Sequence, residues 1–212
     1  MGRHSVTRNR RESEVIKHVS LLQLEPEAIL EFRNTGSCTI VVTEETFDMD
    51  EPGHYLRRIK SVAVSIPCVP GPYASLNCTL TQTKSSIRRS PLLRDGSYPR
   101  EGAEDDRFSD QLGSSQSILT RSGENDPDLF DANLRDGRYL PFEGTGAVSE
   151  WQLVLPASSS TDGGQFDYGT ISDVIFHLRY TAREGGTLLR DAAVSNLKTR
   201  ISKALGIAAP PL

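Results

Sequence analysis

The segment 47–83 constrains the fold most strongly, because two alternating apolar patterns flank a hinge that contains three prolines. Apolar side chains recur at every second position in residues 59–67 and again in residues 75–83. Successive side chains of a strand point to opposite faces, so this alternation predicts two half-buried strands. The hinge 67–72 cannot continue either strand, since proline removes a backbone donor and fixes φ. The segment therefore predicts a strand–corner–strand unit whose apolar face must be covered by other elements.

Two later segments show the same alternation and are the first candidates for that cover. Trp151, Leu153 and Leu155 alternate with other residues in a strand that Pro156 ends. The longest alternating pattern lies in residues 171–181. One face of that pattern carries Val174, Phe176, Leu178 and Tyr180.

Helical patterns lie near the two ends of the chain. Pro26 at a first helical position and Gly36 just past the end predict a short helix. Apolar residues at intervals of three and four in residues 188–205 predict an amphipathic helix that Gly206 stops, and this helix is a third candidate for the cover. Residues 15–24 fit a strand or a short helix, and residues 38–43 fit a β-branched strand.

These elements predict the fold class and the domain limits. We expect a mainly β, antiparallel sandwich-like domain with a short N-terminal helix and a C-terminal amphipathic helix, because no βαβ alternation occurs. The predicted domain covers residues 14–205, between a flexible N-terminal segment 1–13 and a flexible tail 206–212. Within it, residues 85–113 are polar and acidic and predict a long loop that is functional or mobile.

Composition excludes several classes of function. The net charge of −4 argues against a nucleic-acid partner. No run of about 18 apolar residues predicts a membrane span, and residues 1–14 show no apolar core of a secretory signal, which leaves the cellular location open. The three cysteines form no metal-binding spacing, so no zinc site or disulfide framework is expected. Cys38 and Cys78 fall on predicted strands and should pack as small apolar side chains.

The acidic residues do not make a convincing metal site or catalytic pair. Asp48, Asp50 and Glu51 are close together, but their spacing is not that of a calcium loop, and a solvated turn explains them equally well. Glu143 and Asp173 supply two carboxylates for a hydrolase hypothesis, although any two carboxylates would do so.

No other motif supports an enzyme. His54 and His177 have no nucleophile elbow nearby, and phosphate-binding glycine motifs are absent. We therefore predict a protein that is not an enzyme, with no cofactor and no metal.

A stand-alone glycan- or surface-binding β-sandwich is the alternative function. Such sites stack sugar rings on exposed aromatic side chains. Trp151 is in phase with Leu153 and Leu155, which predicts that it is buried. The remaining candidates for such a platform are tyrosines near predicted turns, where a side chain can be exposed. They are Tyr55, Tyr73, Tyr98 and Tyr139.

Three motifs in a fixed order carry a resemblance to a known family. They are PGHYLRRIKSV in residues 52–62, RYLPFEG in residues 138–144 and ISDVIFHLRYTAREGG in residues 171–186. With these motifs the chain closely resembles the C-terminal TcB-binding domain of the TcA subunit of Tc (toxin complex) toxins. The similarity extends from about residue 18 to about residue 197.

The resemblance implies docking rather than catalysis. TcA subunits form pentamers whose channel delivers a toxic enzyme carried in a TcB–TcC cocoon, and this domain docks the β-propeller of TcB. A full TcA chain is far longer, so a homopentamer is expected only in the context of a full TcA chain. Members of the family are exported toxin components.

The residues expected to contact the partner are aromatic or basic side chains near turns, because such groups anchor many interfaces. The predicted contacts are His54, Tyr55, Arg58, Arg138 and Tyr139. A structural use competes with this one, in which Arg57 and Arg58 pair with Asp48 or Asp50.

Overall fold

The computed structural model of the chain describes residues 11–68, 77–121, 129–132, 140–155 and 168–206. The eight strands are β1 (Ser13–Ser20), β2 (Ser37–Val42), β3 (His54–Ser65), β4 (Asn77–Arg88), β5 (Phe108–Arg121), β6 (Leu129–Ala132), β7 (Val148–Val154) and β8 (Ile175–Glu184). The four helices are α1 (Leu21–Leu24), α2 (Pro26–Thr35), α3 (Glu44–Asp48) and α4 (Thr187–Ala204), and a 3₁₀ turn covers Tyr168–Thr170.

All eight strands belong to one antiparallel sheet in the order β1-β8-β3-β6-β5-β4-β7-β2. The strands on either side of the predicted hinge do not pair with each other. β3 lies between β8 and β6, whereas β4 lies between β5 and β7. The hinge therefore carries the chain from one half of the sheet to the other, and its residues from 69 onward lie outside the described residues.

The sheet folds over so that its two halves pack face to face. Trp151 on β7 contacts Phe176 on β8 with ring centroids 6.0 Å apart, although β7 and β8 lie near opposite ends of the strand order. Phe142 meets the edge of Trp151 at 4.9 Å. The inward side chains of both halves join in one apolar core, because each strand turns every second residue toward it. This confirms the predicted sandwich-like, mainly β fold.

Helices α1 and α2 close the open side of this sandwich. The segment that contains them joins β1 and β2, which are the two outermost strands of the sheet. α2 begins at Pro26, and Gly36 caps it directly after its last residue, Thr35. The φ of Gly36, 70°, is the left-handed conformation that glycine adopts easily. Ile29 and Phe32 of α2 are fully buried in the core. The predicted first helix is thus confirmed, and the ambiguous segment 15–24 contains both a strand and a helix.

The predicted cover of the β3 and β4 faces is confirmed for β7 and β8 and wrong for α4. The inward residues of the two strands are buried, as alternation predicted. α4 buries only Leu189 and Ala193, and these pack on Tyr55 and Tyr98 rather than on the main core. Leu188 remains 80% exposed, so the apolar residues of α4 do not form one buried stripe.

The predicted loop 85–113 is wrong at both ends. β4 continues to Arg88 and β5 begins at Phe108, so the connection is residues 89–107, which we call the arginine loop. Ser85 and Arg88 are polar residues of β4 that are nevertheless buried, and polar side chains at inward positions conceal the strand from an apolar pattern.

The structure also bears on the N-terminal segment, the cysteines and the helices. Glu12 and Ser13 do not belong to a flexible segment, because β1 begins at Ser13 and Glu12 pairs with arginines. Cys38 and Cys78 are buried free thiols, as predicted. None of the helices in the described part of the chain has the length and apolar character needed to cross a membrane.

Candidate partner interface

The turn before β3 brings the first turn of α4 against the sheet. Gly53 has a φ of 75°, and a Cβ placed on it would lie 2.4 Å from the Cα of Arg190. The N–H of Gly185 donates to the carbonyl oxygen of Gly53 at 3.0 Å. Only glycine allows both this backbone conformation and this approach, so the PGHYLRR motif holds α4 in place.

A β-bulge follows this turn and decides which side chains of β3 face inward. One extra residue of β3 lies between Tyr55 and Arg58 relative to β8, and Leu56 has a φ of 53°. A bulge bends its strand and redirects the adjacent side chains. Here it leaves Tyr55 beneath α4 and Arg57 in the interior, while Arg58 faces outward.

Arg57 is the centre of a buried polar cluster. Its Nη2 donates to Oδ1 of Asp48 at 2.7 Å and to the carbonyl oxygen of Glu51 at 2.9 Å. The hydroxyl of Tyr98 donates to Oδ2 of Asp48 at 2.6 Å. Burial and the carboxylates of Glu44 and Asp48 raise the pKa of Tyr98 well above its usual range. The predicted Arg57–Asp48 pair is confirmed.

Arg88 extends this polar cluster to the end of β4. Its Nε and Nη2 bind the two carboxylate oxygens of Glu44 at 2.7 and 3.0 Å. The same guanidinium donates to the carbonyl oxygen of Tyr98 at 2.6 Å and lies over the rings of Tyr98 and Phe108, 4.4 and 4.5 Å from their centroids. One arginine thus joins α3, β4, β5 and the arginine loop.

Arg107 organises the arginine loop from its far end. It donates to the carbonyl oxygens of Ser97 and Pro99 at 2.7 and 2.8 Å, and it binds both oxygens of Asp105. The hydrogen bonds from Arg107 lower the pKa of Asp105 well below its usual range despite burial. The polar connection is therefore a folded surface element held by buried arginines.

A cleft of about 270 Å³ opens on the sheet beside the arginine loop. Val41 and Leu112 are 44% and 80% exposed in its lining. Two ion pairs stand at its rim, Lys84–Glu150 at 3.0 Å and the two-point contact of Arg100 with Asp110 at 2.7 and 2.6 Å. The lining residues are Val41, Val42, Thr43, Glu44, Lys84, Ser85, Ser86, Arg100, Asp110, Leu112, Val148, Ser149 and Glu150.

An exposed apolar lining with a charged rim resembles the anatomy of a protein–protein contact. The sequence did not reveal this cleft, because its residues come from β2, α3, β4, the arginine loop, β5 and β7, and no single segment displays them together. The available signal was the recurrence of arginines and acids in residues 88–110, which indicated a salt-bridged loop.

The structure separates the predicted contact residues. His54 is partly buried, and its Nδ1 lies 3.3 Å from the carbonyl oxygen of Glu51. Tyr55 is only 6% exposed beneath α4, so the expectation that it is an exposed anchor is wrong. Arg138 and Tyr139 lie outside the described residues.

Arg58 is the most accessible of the three predicted contacts that the structure describes. Its side chain is 41% exposed, and its Nη2 donates to Oε1 of Glu12 at 2.6 Å. Arg183 contacts the same oxygen at 2.9 Å. Burial would raise the pKa of Glu12, but the two guanidinium groups outweigh it and lower that pKa. The expected pairing of Arg58 with Asp48 or Asp50 is therefore wrong.

The aromatic platform required by the glycan alternative is not formed by the tyrosines that can be placed. Tyr55 and Tyr98 are buried, so neither offers the exposed ring that this alternative requires, and Trp151 is fully buried, as predicted. Tyr73 and Tyr139 lie outside the described residues.

The acidic residues considered for metal binding have cationic partners instead. Asp48 binds Arg57, and Asp50 pairs with Nζ of Lys17. Within the described ranges, no group of three or more His, Cys, Asp or Glu side chains is arranged to hold a metal ion.

The carboxylates of the hydrolase hypothesis lie apart along β8, one near its middle and the other before its first residue. Glu143 pairs with Lys60 at 3.1 Å, near the place where β3 passes Tyr180. Asp173 instead caps backbone N–H groups just before β8 begins. At about 3.3 Å per residue the two are separated by roughly 20 Å. Glycosidase pairs need about 5–10 Å, so the structure does not bring these residues together.

Comparison with known proteins identifies the family. The family model of the Tc toxin complex TcA C-terminal TcB-binding domain matches residues 1–182. Toxin subunit YenA2 of Yersinia entomophaga is 32% identical over 194 residues, which cover 88% of this chain and 14% of YenA2. The chain thus spans a small fraction of the length of this curated relative.

Two solved structures are similar at lower identity. The cryo-EM structure of Yersinia pseudotuberculosis TcaA-TcaB is 22% identical with a TM-score of 0.48, covering 84% of this chain and 10% of that chain. Morganella morganii TcdA4 is 21% identical with a TM-score of 0.46, covering 82% and 8%. The family match spans all eight strands except the last two residues of β8, and it confirms the resemblance carried by the three sequence motifs. The chain belongs to the family of Tc toxin complex TcA C-terminal TcB-binding domains.

Proposed function

We propose that this chain is a docking module that binds the β-propeller of a TcB-type subunit of a TcB–TcC cocoon, and that it has no catalytic activity of its own. The observation that carries the proposal is the family match over residues 1–182. α4, which begins at Thr187, lies outside that match, so the partner surface is sought on the sheet and the arginine loop.

Two exposed places on the matched part of the chain suit a protein partner. The first is Arg58 at the bulge of β3, with His54 near it. Arg138 and Tyr139, which lie outside the described residues, stay proposed contacts on the basis of the sequence alone. The second is the cleft, where Val41 and Leu112 expose apolar surface between two ion pairs. We favour the cleft, because buried apolar anchors surrounded by a polar rim dominate binding energy, whereas an exposed ion pair contributes little.

Assembly and delivery belong to a larger protein in this proposal. YenA2 is much longer than this chain, which covers only 14% of it. A homopentamer and toxin translocation are therefore proposed only for a full TcA chain that contains this domain.

The direct test is the affinity of the purified chain for a TcB-type β-propeller, measured by biolayer interferometry. Leu112→Glu in the cleft should weaken binding by about tenfold or more, which corresponds to about 1.4 kcal/mol. Leu188→Glu is the matched control, because Leu188 is equally exposed, at 80%, but lies on α4. It should change the affinity less than about twofold.

Arg58→Glu separates the two candidate surfaces. A large loss with Arg58→Glu and none with Leu112→Glu would move the contact to the bulge of β3. A folded wild-type chain that shows no association with the propeller would overturn the proposed function itself.

A further inference from the structure

Two histidines and a serine form a hydrogen-bonded row across three strands on the outer face of the sheet. Nδ1 of His18 on β1 lies 2.7 Å from Nδ1 of His177 on β8, and Nε2 of His177 lies 2.7 Å from Oγ of Ser65 on β3. The two imidazoles are cross-strand neighbours in the β1–β8 register and meet edge to face, with centroids 4.8 Å apart. We call this set the histidine row.

The contact between the two Nδ1 atoms limits the number of protons that the row can hold. A hydrogen bond between two imidazole nitrogens requires a hydrogen on one and a free lone pair on the other. The Ser65 hydroxyl can donate or accept, so it allows either imidazole to be the donor. In both arrangements a single added proton can occupy an Nε2 atom, whereas a second would place hydrogens on both facing Nδ1 atoms. While the two Nδ1 atoms face each other, the pair can therefore carry one positive charge but not two.

Charged neighbours on the adjoining elements reinforce this limit. Arg179 is two residues after His177 on β8, so its side chain leaves the same outer face of the sheet. It pairs with Glu14 of β1. Asp173 accepts from Oγ of Ser20 at the other end of β1, 2.6 Å away. The positive charge of Arg179 adds to the repulsion that a second proton in the row would meet.

β1 is the element that such a limit would affect. It is an outermost strand of the sheet and forms its strand pairing with β8. An outermost strand can separate from its neighbour without unfolding the rest of a domain, because local openings require less free energy than global unfolding.

We propose that the histidine row is a proton-operated latch that fastens β1 at neutral pH and releases it in acid. Once β1 is detached, the imidazole of His18 no longer faces that of His177, so both rings can accept a proton, as an unperturbed histidine does near pH 6.5. Below that pH the open form binds more protons than the closed form, so acid shifts the equilibrium toward opening. The latch regulates the sheet edge of this chain and does not depend on the identity of the docking partner.

Hydrogen exchange of the β1 amides tests the latch. After correction for intrinsic exchange, protection of residues 13–20 in the wild-type chain should fall about tenfold between pH 7.5 and pH 5.5, the factor for one proton that only the open form can bind. His18→Gln removes that proton site and should reduce the change to less than about twofold. His54→Gln is the matched control, because His54 contacts Glu51 and lies at the opposite end of β3 from Ser65; it should retain the tenfold change.

A second measurement on the unaltered chain covers the case in which His18→Gln loosens β1 at every pH. NMR titration of the imidazole resonances should show that His18 and His177 together take up one proton while β1 remains paired. Uptake of two protons with β1 still protected would overturn the latch. So would wild-type protection that does not change with pH, or a His18→Gln variant that keeps the full change.

Discussion

The apolar core and the buried polar cluster stabilise neighbouring parts of the same sheet by different means. The core joins the two halves of the sheet through side chains such as Trp151 and Phe176, whose contacts are apolar and have few directional requirements. The polar cluster joins α3, β3, β4 and the arginine loop. It does so through Arg57 of β3, Arg88 of β4 and Arg107 of the arginine loop, each of which donates to several acceptors. The core therefore tolerates changes that keep its volume, whereas the cluster depends on every partner being present.

This difference predicts distinct responses to mutation. A side chain lost from the core leaves a cavity, and the cost follows its size. A carboxylate lost from the cluster leaves a buried guanidinium without its counter-charge, and the cost follows the missing partner rather than the missing volume.

The largest expected effect is in the core. Trp151→Ala should lower the free energy of unfolding by about 4 kcal/mol, because it removes the side chain that contacts Phe142 and Phe176. Urea unfolding followed by circular dichroism measures it, since Trp151 is the only tryptophan of the chain and fluorescence would lose its probe. Trp151→Phe, which fills more of the space, should cost clearly less. Equal losses for the two variants would show that volume does not set the stability of the core.

The second effect tests the cluster by a double-mutant cycle. Asp48→Ala should cost about 3 kcal/mol, because it leaves Arg57 buried without its carboxylate. Arg57→Met combined with Asp48→Ala should cost less than Asp48→Ala alone, since no uncompensated charge remains. The cycle is measured by the same urea unfolding. The cycle compares Asp48→Ala, Arg57→Met and the double variant. If the losses of the two single variants add up to the loss of the double variant, the pair is not coupled and the contrast with the core fails.

The smallest effect is the pH dependence of the arginine loop. The pKa of Asp105 is lower in the folded chain than in the unfolded one, so its stabilising contribution is present above about pH 4 and is lost as the pH falls. Asp105→Asn should therefore reduce, by about 1 kcal/mol or less, the drop in the free energy of unfolding between pH 5 and pH 3. Asp106→Asn is the control, because the Asp106 side chain is 82% exposed. Identical pH profiles for Asp105→Asn and the wild-type chain would contradict the prediction.

The sequence predicted the core well because alternation depends on each strand alone. The inward faces of β3, β7 and β8 follow from their own residues, and Pro26 with Gly36 marks α2. Strand partners do not follow in this way, since β3 pairs with β8 across more than a hundred residues of chain. The sequence therefore indicated which side chains are buried but not the order of the strands.

The candidate interface was harder to predict, because it depends on contacts between distant segments. The bulge at Leu56 turns Tyr55 beneath α4, and no local pattern distinguishes that from an exposed tyrosine near a turn. The ends of β4 and β5 carry polar residues whose burial depends on the arginine loop folding over them. Arg88 is an example, since its acceptors lie on α3 and in the loop.

The pairing of β1 with β8 has a consequence for how a ribosome can produce this domain. Ser20 is paired with Ile175, so β1 emerges 155 residues before its partner strand. At about 5–20 residues per second, β1 waits roughly 8–30 s during synthesis without the neighbour that completes its hydrogen bonds. The apolar side chains of α2, which enter the core that β8 completes, wait with it. The domain therefore closes only after β8 has been translated, and chaperones that shield the segment from β1 to α2, residues 13–35, should act during that interval.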